Sequence, residues 1–148
     1  MKKTVKSRLI AVYGDKVLVL KKVGDPLRYT LPGGAKKAKE SPAGTLIREV
    51  REEIKLKLAE AQIEFLFSQT KKGNGGHHLK HYFLIELEQA PIKVREKDKF
   101  EAALWLEWKE ALPFMDKMDR KAVRYHFKGA ANKTKKANGN KVPPRIAM

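Results

Sequence analysis

The sequence contains no cysteine, which excludes a disulfide framework, a thiol nucleophile and any cysteine-built zinc site. No apolar run approaches the ~20 residues that a helix needs to span a bilayer. Acidic residues are scarce beside basic ones, 17 against 33, and the formal net charge is +16. A field of this sign attracts polyanions such as nucleotides, nucleic acid and inositol phosphates. Five of these charges (Lys133, Lys135, Lys136, Lys141 and Arg145) lie in the acid-free stretch from Gly129 to Met148, so eleven belong to the body. The opening MKKTVKSRLIAVYG places basic residues before a short apolar patch with no small-residue cleavage site, and reads as a strand rather than a leader. A cytoplasmic protein is the expectation. The 148 residues suit one domain with a real core.

Arg8–Tyr13 and Lys16–Lys22 read as strands around a Gly14-Asp15 turn. Tyr29–Leu31 is a short extended piece before Pro32, and Gly33-Gly34 is expected to turn the chain. A helix should start at Ser41-Pro42, since Ser caps well and Pro suits the first helical position. Its buried stripe is Ala43, Leu46, Ile47, Val50 and Ile54, with Arg48, Glu49, Glu52 and Glu53 on other faces. Ile63–Thr70 and Leu79–Leu87 read as strands joined by a polar loop, Lys71–Gly76, and Phe100–Trp108 as another. A last helix is predicted over Asp116–Lys128, capped by Asp116 and ended by Gly129. Residues 1–129 are thus read as one α+β domain and 130–148 as a basic, flexible tail.

The chemistry is concentrated in residues 32–56, PGGAKKAKESPAGTLIREVREEIKL. On a helix Glu49 lies beside both Glu52 and Glu53, a like-charge cluster that is unfavourable unless a cation joins it. A hard divalent ion with oxygen ligands would do so. The bland reading, a solvated acidic helix with pairs such as Arg48–Glu52, leaves the glycine corner and Glu40 unexplained. Around the corner, Arg28, Lys36, Lys37 and Lys39 suit a phosphate-rich ligand. Tyr29, Phe67 and Tyr82 are stacking candidates for a base, although packing is the commoner role for such residues. His77 and His78 are adjacent on a strand and point to opposite faces, so they make a poor joint metal site.

These residues resemble the Nudix hydrolase box. Gly34, Glu40, Arg48, Glu49, Val50, Glu52, Glu53 and Leu56 fall on its pattern over a 23-residue window, and Lys55 stands where the family has Gly. The resemblance implies a mixed β-sheet sandwiched between α-helices. It also implies a pyrophosphohydrolase dependent on Mg²⁺, with Mn²⁺ as the alternative ion. By carry-over, Glu49, Glu52, Glu53 and the Gly33 carbonyl are metal ligands, while Glu40 and Arg48 tie the loop to the catalytic helix. Arg28, Tyr29, Lys37 and Lys39 are the substrate-binding candidates. With Lys55, either the helix runs on to Lys57 or Lys55 adopts a left-handed cap at a cost of ~1 kcal/mol.

A further acid from a later segment would be Glu96, Asp98 or Glu101. Relatives with an acid six residues before Trp105 have their counterpart here in Lys99, and Glu101 reads better as a solvent-facing strand residue. The expected substrate is a nucleoside diphosphate linked to another moiety: a nucleotide sugar, a dinucleoside polyphosphate or a nucleoside triphosphate. The Pro and Tyr that mark ADP-ribose and dinucleoside-polyphosphate hydrolases are absent at Thr70–Gly73. An inositol-pyrophosphate or RNA 5′-end hydrolase is a second reading, and HHLKHYFLIEL loosely resembles diphosphoinositol polyphosphate phosphohydrolases. A catalytically silent nucleotide- or nucleic-acid-binding module is a third. The basic surface and tail leave nucleic-acid contact open, no membrane contact is expected, and the resemblance suits a monomer or homodimer.

Overall fold

The computed structural model describes residues 3–73, 75–88 and 91–137, with the side chains of 130–137 outside the description. Seven strands, β1 (Lys3–Tyr13), β2 (Lys16–Lys22), β3 (Tyr29–Thr30), β4 (Gly33–Ala35), β5 (Glu64–Gly73), β6 (Gly76–Glu86) and β7 (Phe100–Glu107), form one mixed sheet. Its helices are α1 (Pro42–Ile54), the one-turn α2 (Trp108–Ala111) and α3 (Lys117–Ala137). The main path runs β3-β2-β1-β6-β5, with β4 on β1 and β7 on β2. β1 and β6 are parallel, and the other pairs are antiparallel.

Alternation along the central strands builds two cores. Leu9, Ala11, Leu18, Leu20, Phe83 and Ile85 face α1, where Leu46, Val50 and Ile54 meet them. Ile10, Val12, Val17, Val19, Tyr82 and Leu84 face the opposite way, onto Ala122 and Val123 of α3. A period-2 strand buried on both faces reads as a continuous apolar run, as in RLIAVY and KVLVLKK. The result is a mixed sheet between helices, as the box resemblance implies.

The sheet opens where the site lies. β1 and β2 pair only at Val12↔Val17 and Tyr13↔Lys16, then part. β3 pairs with β2 and β4 with β1, so the linking Leu31-Pro32 bridges the gap, and Leu9 N–H donates to Pro32 O at 2.8 Å.

Three expectations need correction. Gly33-Gly34 is not a free turn, since Ser7 pairs with Gly34 and Arg8 with Gly33. The Lys71–Gly76 loop is mostly ladder: pairing continues to Gly73↔Gly76, because Lys71 and Lys72 find partners in His78 and His77. Helix α3 does not stop at Gly129 but runs on to Ala137. An isolated Gly costs ~1 kcal/mol within a helix, and that alone is too little to end one. The expected tail therefore begins within α3, and residues 138–148 lie outside the described ones. Asp116 does cap this helix, its Oδ1 accepting from Asp119 N–H at 2.8 Å.

Candidate active site

Helix α1 starts where the sequence places it. Ser41 is extended at the N-cap, its Oγ accepts from Gly44 N–H at 2.9 Å, and Pro42 is the next residue. Ser7 Oγ donates to Pro42 O at 2.7 Å, pinning the helix start to β1. At the far end Lys55 adopts the left-handed region (φ 57°, ψ 22°) and its N–H donates to Arg51 O at 3.0 Å. Of the two outcomes open at this position, the strained cap is the one realised, so the Lys substitution leaves the helix end in place.

Arg48 organises the acids. Its Nε donates to Glu40 Oε2 at 2.6 Å and its Nη2 to Glu40 Oε1 and Ala35 O, both at 3.0 Å. Its Nη1 donates to Glu49 Oε1 at 3.1 Å and Glu52 Oε1 at 2.9 Å. Glu40 also accepts from Lys37 N–H at 2.8 Å and Thr45 Oγ1 at 3.0 Å. The Arg48 hydrogen bond, helped by the Lys37 N–H, holds the Glu40 carboxyl down at about 2. Charge-assisted forks of this kind are the strong hydrogen bonds of proteins.

Glu53, expected on a face other than the apolar stripe, is buried at 4% exposed. Its Oε1 accepts from Gly33 N–H at 2.9 Å, which joins α1 to the glycine corner. Burial pushes its carboxyl up to about 8, with Glu49 and Glu96 acting in the same direction while the Gly33 N–H and Arg8 oppose it. Gly33 is required here, and Gly34 sets where the Glu49 carboxylate can lie. Gly33 has φ +136°, and a Cβ on it would collide with Ser7 O; a Cβ on Gly34 would collide with the Glu49 carboxylate.

Two neighbours go beyond the box. Arg8 Nη1 donates to Gly33 O at 3.0 Å and Leu31 O at 3.1 Å, so the carbonyl proposed as a ligand already accepts from a guanidinium. The segment before β7 docks on the helix end, with Arg95 N–H donating to Glu53 O at 2.7 Å. It brings in Glu96, which pairs with Lys99 at 3.5 Å and chiefly raises the Lys99 ammonium pKa. Glu101 is exposed and pairs with Lys21 at 3.1 Å, as a solvent-facing strand residue would.

Of the substrate candidates, Lys37 and Lys39 lie on the loop before α1, where Lys37 N–H donates to Glu40. Arg28, Lys37 and Lys39 have exposed side chains. Tyr29 packs edge-on against Phe114 with ring centroids 5.7 Å apart. Phe67 packs against Tyr82 and Tyr125, and Tyr82 is fully buried with its hydroxyl donating to Asp119 Oδ1 at 2.8 Å. Sequence reasoning misses Arg8 because it sits alone in an apolar strand; the β1–β4 pairing is what places it on Gly33.

Among the described residues no three carboxylate or imidazole side chains already close around one point. The donor set nevertheless fits a hard divalent cation. Three carboxylates occupy adjacent turns, Glu53 carries a burial penalty that a cation would relieve, and Gly34 leaves room for the Glu49 carboxylate.

A glycine corner, an arginine-forked acid set on one helix and a mixed sheet between helices are the arrangement that the box resemblance implies. The NUDIX domain family matches residues 3–127, and the chain belongs to that family. No curated protein matches the chain. Among solved structures, the Escherichia coli ORF135 protein is similar at a TM-score of 0.70 and 20% identity, over 95% of this chain and 96% of that one. A Caenorhabditis elegans Ap4A hydrolase reaches 0.66 at 17% identity, over 89% of this chain and 99% of that one. A MutT/nudix family protein from Enterococcus faecalis reaches 0.62 at 22% identity over 71% of this chain, which spans 44% of that protein's length. At these identities the likeness is one of fold.

Proposed function

We propose that the domain is a Mg²⁺-dependent pyrophosphohydrolase, Mn²⁺ serving as the alternative ion, which cleaves a diphosphate linkage in a nucleoside diphosphate joined to another moiety. The observation that carries this reading is the Arg48 fork, which holds Glu49 and Glu52 on α1 while Gly33 N–H holds Glu53. Glu49, Glu52 and Glu53 would hold the ion, and Gly33 O would join them if Arg8 shifts to its other acceptor, Leu31 O. When bound, the ion supplies charge neutralisation at the phosphoryl oxygens and a more acidic water.

The chain's own groups do the rest. Arg48 keeps the carboxylates oriented, and Glu40 keeps Arg48 in place. Glu96 would be the further acid that accepts a proton from water, since its neighbour Arg95 docks on α1 through Glu53 O. Arg28, Lys37 and Lys39 are exposed cations that would steer and hold substrate phosphates, with Tyr29 next to Arg28 in the chain. A cytoplasmic setting suits a cysteine-free chain. No helix of the described residues is long and apolar enough to cross a membrane.

The test is turnover of ADP-ribose, diadenosine polyphosphates, nucleoside triphosphates and an inositol pyrophosphate, with Mg²⁺ and with a chelator. Metal-dependent release of phosphorylated products from one class supports the reading. Ligand binding with no turnover of any class would favour the silent binding module.

A further inference from the structure

Resting on this hydrolase reading, we propose that a cavity on the α3 side of the sheet binds a second anionic group of the substrate, a phosphate monoester separate from the bond that is cut. The cavity, of about 210 Å³, lies between β1, β5, β6 and the start of α3. Its charged lining is Lys6, Lys71, Lys80 and Lys117 against Asp116, with His78 beside them. Lys80 is satisfied internally, its Nζ lying 2.9 Å from Asp116 Oδ2 and 3.1 Å from Asp119 Oδ1. The ammonium groups of Lys6, Lys71 and Lys117 have no ion pair or hydrogen bond among the described residues.

Packing does not account for this arrangement. Lys6 is the register partner of Lys80 in the parallel β1–β6 ladder, so two ammonium groups share one face, and only that of Lys80 has carboxylate partners in contact. Lys6 is half-buried, and burial, followed by Arg8 and Lys80, lowers its ammonium pKa, while Asp116 and Asp119 offset part of that effect. An anion between these cations would relieve each of those costs. A dianionic monoester matches three unpaired ammonium groups better than a monoanionic diester does. The volume is below the ~300–1,000 Å³ of pockets that enclose a whole drug-sized ligand, so the cavity suits a single group.

Its place in the fold connects it to the acids. Along β1, Lys6 pairs with Ala35 and Arg8 with Gly33. Gly33 is held by Arg8 through its carbonyl and by Glu53 through its N–H. Lys6 stands two residues from Arg8, about 7 Å along the strand. In this proposal one molecule lays its phosphoanhydride at the glycine corner and a second phosphate in the cavity. The substrate class becomes a phosphoanhydride whose other half carries its own phosphate monoester.

The test is calorimetric titration of the full chain with adenosine 3′,5′-bisphosphate and with AMP, for the wild type, Lys6→Met and Lys117→Met. Lys117 is exposed, so its variant keeps the fold even if Lys6→Met does not. The expected result is that the bisphosphate binds at least about tenfold tighter than AMP, and that this gap narrows in both variants. Equal affinities, no bisphosphate binding, or a gap unchanged in the variants would overturn the proposal. A gap as large for the diester pApA, equally dependent on Lys6, would replace the monoester with nucleic acid. Turnover without the gap would sink the cavity proposal alone, whereas the gap without turnover of any phosphoanhydride would sink the hydrolase reading and leave the cavity as an anion site.

Discussion

Arg48 uses all three guanidinium nitrogens on oxygens that define the site. A lysine has one ammonium and cannot form that fork. Arg48→Lys is expected to fold and to lose about 10–100-fold in metal affinity or kcat/KM, the usual cost of an orienting partner. Metal titration and steady-state kinetics measure both, and wild-type values would show that the fork is ornamental. Glu40 gives a pH signature. Its folded pKa is depressed to about 2 from an ordinary value of 4.5. Its contribution to stability is therefore full above the ordinary value and is lost as pH falls from there through about 2. Between pH 6 and pH 3 the urea midpoint should fall further for wild type than for Glu40→Gln. Parallel falls would contradict the assignment. Both residues are legible in the sequence through the box spacing. The burial of Glu53 is legible too, since it stands three residues after Val50 and seven after Leu46, at the edge of the apolar stripe, but its carboxyl type argues against it; the Gly33 N–H supplies a partner there.

At the scale of elements, α1 is readable almost to the residue because its signals are local: a Ser cap, a Pro at the first position and an apolar stripe. The end of the helix is less so, since sequence permits either a longer helix or a strained cap, and the structure puts Lys55 in the left-handed cap. Lys55→Gly should therefore raise stability by about 1 kcal/mol, the cost of that conformation for a residue with a Cβ. A fall in the urea midpoint would refute the strain. The glycine corner makes the opposite prediction. Gly34→Ala places a methyl on the Glu49 carboxylate, so metal binding should weaken while thermal unfolding stays cooperative. Elements that depend on distant partners are harder to read. Lys71 and Lys72 look like loop residues by composition, yet β6 extends their ladder. Gly129 looks like a stop, yet α3 carries through it.

For the molecule as a whole, the mixed sheet between helices comes from the family resemblance, while periodicity alone supplies only strands and helices in order. Long-range pairing explains the difference, since β1 finds β6 over seventy residues later, as in Thr4↔His78. The charge of +16 is plain in the sequence, but its use is not; only the β1–β6 register puts Lys6 opposite Lys80. A field of this size should steer anionic substrates, so kcat/KM should fall as ionic strength rises from about 0.05 to 0.3 M while kcat holds. A salt-independent kcat/KM would confine the charge to solubility.

The most direct measurement is kcat/KM of Glu53→Gln beside wild type, at saturating Mg²⁺, on whichever phosphoanhydride the wild type cleaves fastest. The expected result is a loss of about 10²–10⁴-fold in a folded variant, the range for removal of a group that handles the reacting water or its ion. Turnover within a fewfold of wild type would contradict the assignment of α1 as the catalytic helix.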